Sequence, residues 1–426
     1  MKHKKRAGIF ILIDFLKNDY RNILPVISSL MKKEVCCKII ATDKKHKGHL
    51  LPKIAGENGI PFNFLEDFTN AETSCNLNKT LKIYKAKLKH LHCVSSRAGL
   101  FLYNNFSLLN GENNDFSGFI GFKRVKYILK RGFAFKEMLN AERPDLLIFS
   151  DEQSALGKFY ALFSGSRRIP YLCLPDLGDQ LLENLPVYAF TKTSRYVVLG
   201  KGPRDFFRRR QGSAKHFMVT GMPLADTFAF TRPQLNREEI LKRFGFKKDK
   251  GLFLFAMQDS LPENKQILDS LVSLMRLFPN KCLIIRPHPA SEHTRTYYSQ
   301  VKAAGVSNVI VSKSFEISDL INACEIIITV YSLTGFNAII KDKPLITINL
   351  SPFPDNMPYA KYGAALGVYE LDGLPQAVES ILSNVAIRKK LFNGRKKFLR
   401  DYPAYNLNSS KDRIRDLALS CIKKRI

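Results

Sequence analysis

Apolar runs of four to seven residues recur along most of the chain, separated by polar or amphipathic stretches of helical length. In the first half they are GIFILI (8–13), VCCKIIA (35–41), IPFNFL (60–65), DLLIFS (145–150), IPYLCL (169–174), RYVVLG (195–200) and HFMVTG (216–221). In the second half they are LFLFAM (252–257), CLII (282–285), NVIV (308–311), EIIIT (325–329) and PLITINL (344–350). Strands apolar on both faces, joined by helical crossovers, belong to parallel sheets that are covered on both sides. The pattern runs twice, so it predicts an α/β protein of two Rossmann-like domains facing a cleft.

Prolines set the expected boundaries. Pro223 and Pro233 bracket the junction and a new helix is expected near Asn236. The first domain is therefore assigned to 1–230, the second to 231–390, and a basic, helix-prone tail to 391–426, placed to pack back across both domains. Residues 77–143 break the strand–helix alternation and read as a helical insertion. Its segment IGFKRVKYILKRGFAFK (120–136) carries six Lys/Arg and no acid. Phe122, Val125, Leu129 and Phe133 fall on one helical face there. Two readings stay open: a basic, aromatic face that meets a membrane or an acidic acceptor, and a core helix with a solvated basic side.

Length and composition fit this division. At 426 residues the chain exceeds one ordinary core, and its 45% hydrophobic and 25% charged content is that of a folded protein. Charge adds something new. Lys and Arg number 67 against 38 Asp and Glu, a formal +29, which favours an anionic partner. No run approaches the ~18–20 apolar residues of a membrane span. The start, MKHKKRAGIFILID, reads as a first strand with a basic leader rather than a signal peptide, so the protein is expected in the cytoplasm, with peripheral contact on the membrane's inner face as an extension. The eight cysteines form no C-x-x-C and read as reduced thiols. His46-x-x-His49 and His90-x-His92-Cys93 lack a second ligand pair and read as surface. There is no D-x-D, so neither a metal nor another cofactor is expected. No helix-turn-helix, zinc finger or RNP-like motif is present, and nucleic acid is not an expected partner.

Candidate chemistry gathers at two strand ends. CLII leads into Arg286-Pro287-His288-Pro289. A residue before proline is driven out of the α region, so Arg286 and His288 should be extended and project to one side, as two donors aimed at one phosphate. Some forty residues on, EIIIT runs into Tyr331-Ser332-Leu333-Thr334-Gly335 and then a short helix. Hydroxyls, free N–H groups and a helix N-terminus at such a turn suit an anion. In the first domain, the carboxylates that follow strands are the natural bases: Asp176 and Asp179 in LPDLGD, then Asp151 after DLLIFS.

RPHP (286–289), YSLTGFNAI (331–339) and VTGMPLAD (219–226) together resemble GT-B-fold glycosyltransferases. They look like the bacterial surface-polysaccharide enzymes: capsular sugar transferases, HP-motif sialyl- and Kdo-transferases, and CDP-glycerol glycerophosphotransferases. The resemblance implies a CMP-, CDP- or UDP-linked donor in the cleft, His288 on its phosphate, and Ser332, Thr334 and Gly335 around phosphate or ribose. It implies a polysaccharide or lipid-linked acceptor, anionic in keeping with the charge. Two positions depart from it. Many relatives carry a glutamate two residues after the glycine, where this chain has Asn337. CDP-glycerol transferases place a histidine-glycine pair where this chain has Leu177-Gly178. A UDP-GlcNAc 2-epimerase-like enzyme and a non-enzymatic binder of acidic polymer or nucleic acid stand as alternatives.

Overall fold

The computed structural model describes residues 8–13, 20–42, 50–91, 122–150, 155–183, 195–211, 215–258, 261–289, 291–405 and 409–423. The first sheet contains β1 (Gly8–Ile13), β2 (Cys36–Ala41), β3 (Phe62–Phe64), β4 (Leu146–Phe149), β5 (Tyr171–Cys173), β6 (Arg195–Val198) and β7 (Phe217–Val219). Helices α1 (Tyr20–Met31), α2 (Leu50–Glu57), α3 (Ala71–Leu91), α4 (Phe122–Glu142), α5 (Ala155–Ser166) and α6 (Lys201–Gln211) connect them. The junction holds α7 (Pro223–Phe230) and α8 (Arg237–Arg243). The second sheet contains β8 (Gly251–Ala256), β9 (Lys281–Arg286), β10 (Val309–Val311), β11 (Ile326–Thr329), β12 (Leu345–Ile348) and β13 (Leu366–Val368). Its helices are α9 (Asn264–Leu277), α10 (Thr294–Ala303), α11 (Ile317–Ala323), α12 (Leu333–Ile340) and α13 (Leu374–Ser383), followed by α14 (Val385–Asp401) and α15 (Ser409–Lys423).

The sheet orders are β3-β2-β1-β4-β5-β6-β7 and β10-β9-β8-β11-β12-β13. Every pairing is parallel, with Ile11 level with Ile39 and Ile148 in the first sheet, and Phe253 level with Leu283 and Ile326 in the second. Both orders reverse direction beside the first strand, the arrangement that opens a ligand crevice at the carboxyl ends of the strands. All six residues of β8 are buried, as a central strand covered on both faces requires. Phe253 and Phe255 pack toward α9 through Ile267 and Leu271, whereas Leu252 and Leu254 pack toward Leu320 and Phe336. The apolar runs thus form the strands they predict, with ends that agree to within a residue or two. β13 escapes the sequence pattern because it is three residues with a central glycine and a single buried side chain, Val368.

The helical insertion turns inward a row beside the Leu129–Phe133 stripe, and the side chains of Phe122 and Val125 lie outside the described residues. Leu129 and Phe133 are only half-buried, while Arg131, Ala134, Phe135, Met138 and Leu139 form the buried row. Phe135 sits 4.5 Å from the Tyr160 ring and 6.4 Å from that of Phe149. Arg131 is inward-facing because its charge is met: Nε donates to the Thr42 carbonyl at 2.9 Å and the guanidinium lies 3.4 Å from the Tyr127 ring centroid.

The junction motif turns out to be a clamp for the C-terminal helices. Gly221 adopts a φ of +79°, and a Cβ there would come within 2.2 Å of the Ser410 hydroxyl. The buried Asp226 carboxylate accepts from the Tyr405 amide at 3.1 Å and the Ser410 amide at 3.0 Å. Burial pushes this carboxyl upward, while the two amides and Arg413 oppose the shift. The Leu224 amide donates to Asn22 of α1 at 3.0 Å, and Ser29 of α1 donates to Asp412 of α15 at 2.6 Å. Asp226→Ala would strand the buried Ser410 amide, at a cost of about 1–3 kcal/mol, and release the half-buried Tyr405 amide. We expect earlier proteolysis between α14 and α15 and a lower midpoint in thermal unfolding. A variant with unchanged midpoint and protease pattern would refute the clamp.

Candidate functional site

Strand β9 delivers Arg286 and Pro287 to the carboxyl edge, and the two cationic side chains then part company. Arg286 Nη1 donates to three successive carbonyls, Lys313 at 3.1 Å, Ser314 at 2.9 Å and Phe315 at 2.8 Å. Lys313 Nζ returns the contact to the carbonyls of Pro289 at 3.1 Å and Ser291 at 2.8 Å. These bonds brace the loop after β10, where Phe315 holds a φ of +71°, a conformation uncommon for a residue with a Cβ. Burial lowers the Arg286 pKa and Glu316 opposes the shift. The sequence expectation was of two donors converging on one phosphate. Arg286 has a structural task in this loop through Nη1. His288 is exposed, in a turn closed by the Ser291 amide on its carbonyl at 2.9 Å.

The second turn is built as a rigid platform. Ser332 N-caps α12, its hydroxyl accepting from the Thr334 amide at 3.1 Å. Tyr359, wholly buried, donates to the Ser332 carbonyl at 2.9 Å. Gly335 is required by this packing: a Cβ would stand 2.7 Å from the Tyr359 ring and 3.3 Å from Leu345. Ser332 and Thr334 remain half-buried, but Asn337 does not face a ligand space. It is 3% exposed, with an Oδ1 that has no hydrogen-bond partner.

A cavity of about 470 Å³ opens beside this platform, at the carboxyl ends of β8, β11 and β12. It is walled by Leu261–Glu263 and Ile267 after β8, Val330 and Tyr331 after β11, and the loop from Asn349 to Asn356 after β12. This is the switch point of the second sheet, and the volume is within the roughly 300–1,000 Å³ of small-molecule sites. The walls are held by side chains. Gln258 donates to the Tyr331 carbonyl, Asn349 donates to Asp355 at 3.0 Å, and Asn349 accepts from the Ser351 amide at 3.1 Å. Phe353 stands 72% exposed at the rim. Burial, and then the charge of Glu263, push the Tyr331 phenol upward, so it stays neutral. Among the described residues Glu263 is the one charged group in this lining, which includes neither Arg286 nor His288.

Across the cleft, Asp176 forms its own turn: Oδ1 accepts from the Gly178 amide at 2.8 Å. Asp179 is half-buried in the 3-10 turn Gly178–Gln180, and Asp151 lies outside the described residues. Glu183, three residues after this turn, donates its amide to the carbonyl of Asn356 in the cavity wall at 2.9 Å. The Glu183 carboxylate accepts from Lys361 at 2.7 Å and Tyr402 at 2.9 Å. Sequence reasoning missed both Glu183 and Glu263. Glu183 had no local signal. Glu263 follows β8, and the strand-end rule that singled out Asp176 would have found it if applied to the second domain. Among the described residues no three His, Cys, Asp or Glu side chains gather as a metal site, and His46, His49, His92 and Cys93 lie outside them.

Two parallel sheets with facing switch points define the GT-B fold, and solved structures share it over nearly the whole chain. A glycosyltransferase from Rickettsia africae superposes with a TM-score of 0.60 at 11% identity, covering 98% of this chain and 99% of that one. The UDP-GlcNAc 2-epimerase of Neisseria meningitidis bound to UDP-GlcNAc gives 0.60 at 13% identity, covering 97% and 100%. MurG from Acinetobacter baumannii gives 0.54 at 12% identity, covering 97% and 99%. Residues 201–361, which hold the junction and the cavity, match the family model of CDP-Glycerol:Poly(glycerophosphate) glycerophosphotransferase. The GT-B fold that the motifs imply is therefore the fold of this chain. No curated protein matches the chain.

Proposed function

We propose that the protein is a GT-B transferase that moves a sugar or glycerol-phosphate unit from a nucleotide-activated donor to a cell-envelope polysaccharide or lipid-linked acceptor, without a metal. The observation that carries this reading is the switch-point cavity beside the Ser332–Gly335 turn, inside the segment that matches the glycerophosphotransferase model. The nucleoside end of the donor would occupy the cavity, and its phosphates would meet the Ser332 and Thr334 hydroxyls, the amides that open α12, and His288. An acceptor hydroxyl would approach from the first domain, with Asp176, Asp179 or Asp151 as its base. The expected result is a rise in unfolding midpoint with CDP-glycerol, CMP, CDP, UDP or a UDP-sugar. A ligand at a hundred times its Kd contributes about 2.7 kcal/mol. A midpoint indifferent to all of these would sink the proposal.

A 2-epimerase is the second reading, because an epimerase and a glycosyltransferase match this fold with the same TM-score. It predicts epimer formation from a UDP-sugar with no acceptor present, and a null result there removes it.

The acceptor side suits an anionic surface. The chain carries +29, and the helical insertion exposes Lys79, Lys82, Lys126 and Ile83. No helix among the described residues is long and apolar enough to cross a membrane. Peripheral binding would give co-sedimentation with anionic vesicles about tenfold stronger than with neutral ones, since each Lys near such a surface contributes ~1 kcal/mol. Equal sedimentation would count against it.

A further inference from the structure

Helix α14, VAIRKKLFNGRKKFLRD, is one-sided in packing and in charge. Leu391, Gly394, Arg395 and Phe398 face inward. At 3.6 residues per turn the opposite arc holds Lys389, Lys390, Lys396, Lys397 and Arg400, all exposed. The charges used inside the fold are other ones. Arg395 pairs with Asp342 at 2.5 Å, and Arg388 Nη1 donates to the carbonyls of Ile381 at 3.0 Å and Leu382 at 2.8 Å. The single acid of the helix, Asp401, accepts from the Tyr362 hydroxyl at 2.7 Å. Helix surfaces ordinarily interleave both signs. Here Lys396 and Lys397 stand four and three residues before Arg400, spacings at which like charges destabilise a helix. Such a face is relieved by an anionic partner. Two apolar side chains stand on the same arc: Phe392, 39% exposed, and Val385, 68% exposed. Lys396 Nζ lies 4.3 Å from the Phe392 ring centroid. Cations alone suit any polyanion. Cations with exposed apolar side chains among them suit a partner that has an apolar layer beneath its charges, which is a bilayer interface.

Resting on the peripheral contact proposed above, we infer that α14 is the surface by which the protein docks on an anionic bilayer. Its lysines and Arg400 meet the headgroups, and Phe392 enters the acyl boundary. The 17 residues of the helix give a contact about 25 Å long, convex and laid flat on the membrane plane. The inward face of the same helix carries Phe398, which packs on Phe336 and Tyr359, and Tyr359 donates to the Ser332 carbonyl. The docked helix therefore lies between the lipid and α12, the helix that Ser332 opens. Docking in this pose brings the donor turn to the surface from which a lipid-linked acceptor arrives.

The test is co-sedimentation of the full chain with phosphatidylglycerol–phosphatidylcholine vesicles and with phosphatidylcholine vesicles. The wild type should bind the anionic vesicles about tenfold more strongly. Lys389→Glu, Lys396→Glu and Lys397→Glu together should bring that ratio to within about twofold of one. The neutral set Lys389→Gln, Lys396→Gln and Lys397→Gln should reduce it by a smaller factor. All three side chains point to solvent, and thermal unfolding verifies the fold of both sets. Phe392→Ser should weaken binding to anionic vesicles about fivefold and leave binding to soluble polyphosphate unchanged, because the bilayer has an apolar layer to receive the ring. Lys79→Glu, Lys82→Glu and Lys126→Glu, in the helical insertion, should lower the vesicle ratio by less than about twofold. An equal fall from that insertion set would show that total charge sets the preference and overturns the assignment to α14. A Phe392→Ser variant that sediments like the wild type overturns it in favour of a soluble polyanion. A tenfold preference kept by the α14 glutamate set overturns the assignment and leaves peripheral contact standing. A wild type that does not distinguish the two vesicles overturns both.

Discussion

Replacing His288 by alanine is expected to lower kcat/KM for the nucleotide-activated donor about a hundredfold, with little change in stability. The RPHP loop has one cationic group committed to its own architecture, because Arg286 Nη1 serves the carbonyls of 313–315. His288 is exposed at the same carboxyl edge, and the function proposed above puts the donor's phosphate against it. A donor to a leaving phosphate acts on charge that grows in the transition state, and loss of one such group costs about 2.7–4 kcal/mol in well-studied sites. The loss should fall on kcat more than on KM. Arg286→Ala should behave differently, lowering the unfolding midpoint through the orphaned carbonyls and acting on turnover only through loop position. If His288→Ala turns over donor at the wild-type rate, the phosphate role assigned to this loop is wrong.

The largest expected effect on stability comes from Gly394→Ala. This glycine lies in the middle of α14, where alanine would ordinarily help by about 0.5–1 kcal/mol. Here the added Cβ would stand 1.9 Å from the Gly363 carbonyl oxygen and 2.1 Å from its carbon. Both are backbone atoms, and Gly363 itself needs its φ of +70°. Relief therefore requires α14 to lift from the 359–364 segment. That segment anchors a stack in which Phe398 and Tyr402 lie 4.6 Å apart and Phe398 touches Phe336 at 6.0 Å and Tyr359 at 5.5 Å. Overpacking of this kind costs about 3 kcal/mol or more, and we expect the midpoint to fall by roughly 6–12 °C. Because Tyr359 supports the Ser332 carbonyl and closes on Gly335, donor affinity should weaken as well. Gly56→Ala is the control: it is helical, a Cβ there meets nothing within 4 Å, and it should be neutral or stabilising. Equal midpoints for the two variants would show that α14 does not pack as described.

The architecture was legible because parallel strands buried on both faces leave a signal that depends on neighbouring residues alone. β1 spans the same six residues as the run that predicts it, and Asn236 caps α8 with Glu239 in the reciprocal box that an Asn-x-x-Glu spacing allows. Turn chemistry was legible for the same reason: Ser332 caps α12 and Gly335 admits Tyr359. Motifs read from composition alone fared less evenly. The stripe of the insertion helix left its inward face open, and Leu129 and Phe133 of that stripe lie half-buried beside the buried row, because a buried Arg131 with its own partners counts as polar in any periodicity. Arg286 ends β9 in extended backbone, as the proline after it favours, but direction along a strand end does not say which neighbour arrives first.

That division has a simple physical origin. Local sequence determined what each segment is: strand, helix, cap or turn, and therefore the doubly wound sheets and the edge at which ligands bind. Partner choice was decided only when distant segments met. Arg286 found three carbonyls some twenty-eight residues away, and Asp226 found amides about 180 residues on. Asn337 was drawn into the core, and Glu263 was placed in the cavity wall. A side chain's chemistry is written in the chain, but whether that chemistry is used inside the fold or kept for a ligand depends on which groups the fold brings within three ångströms of it.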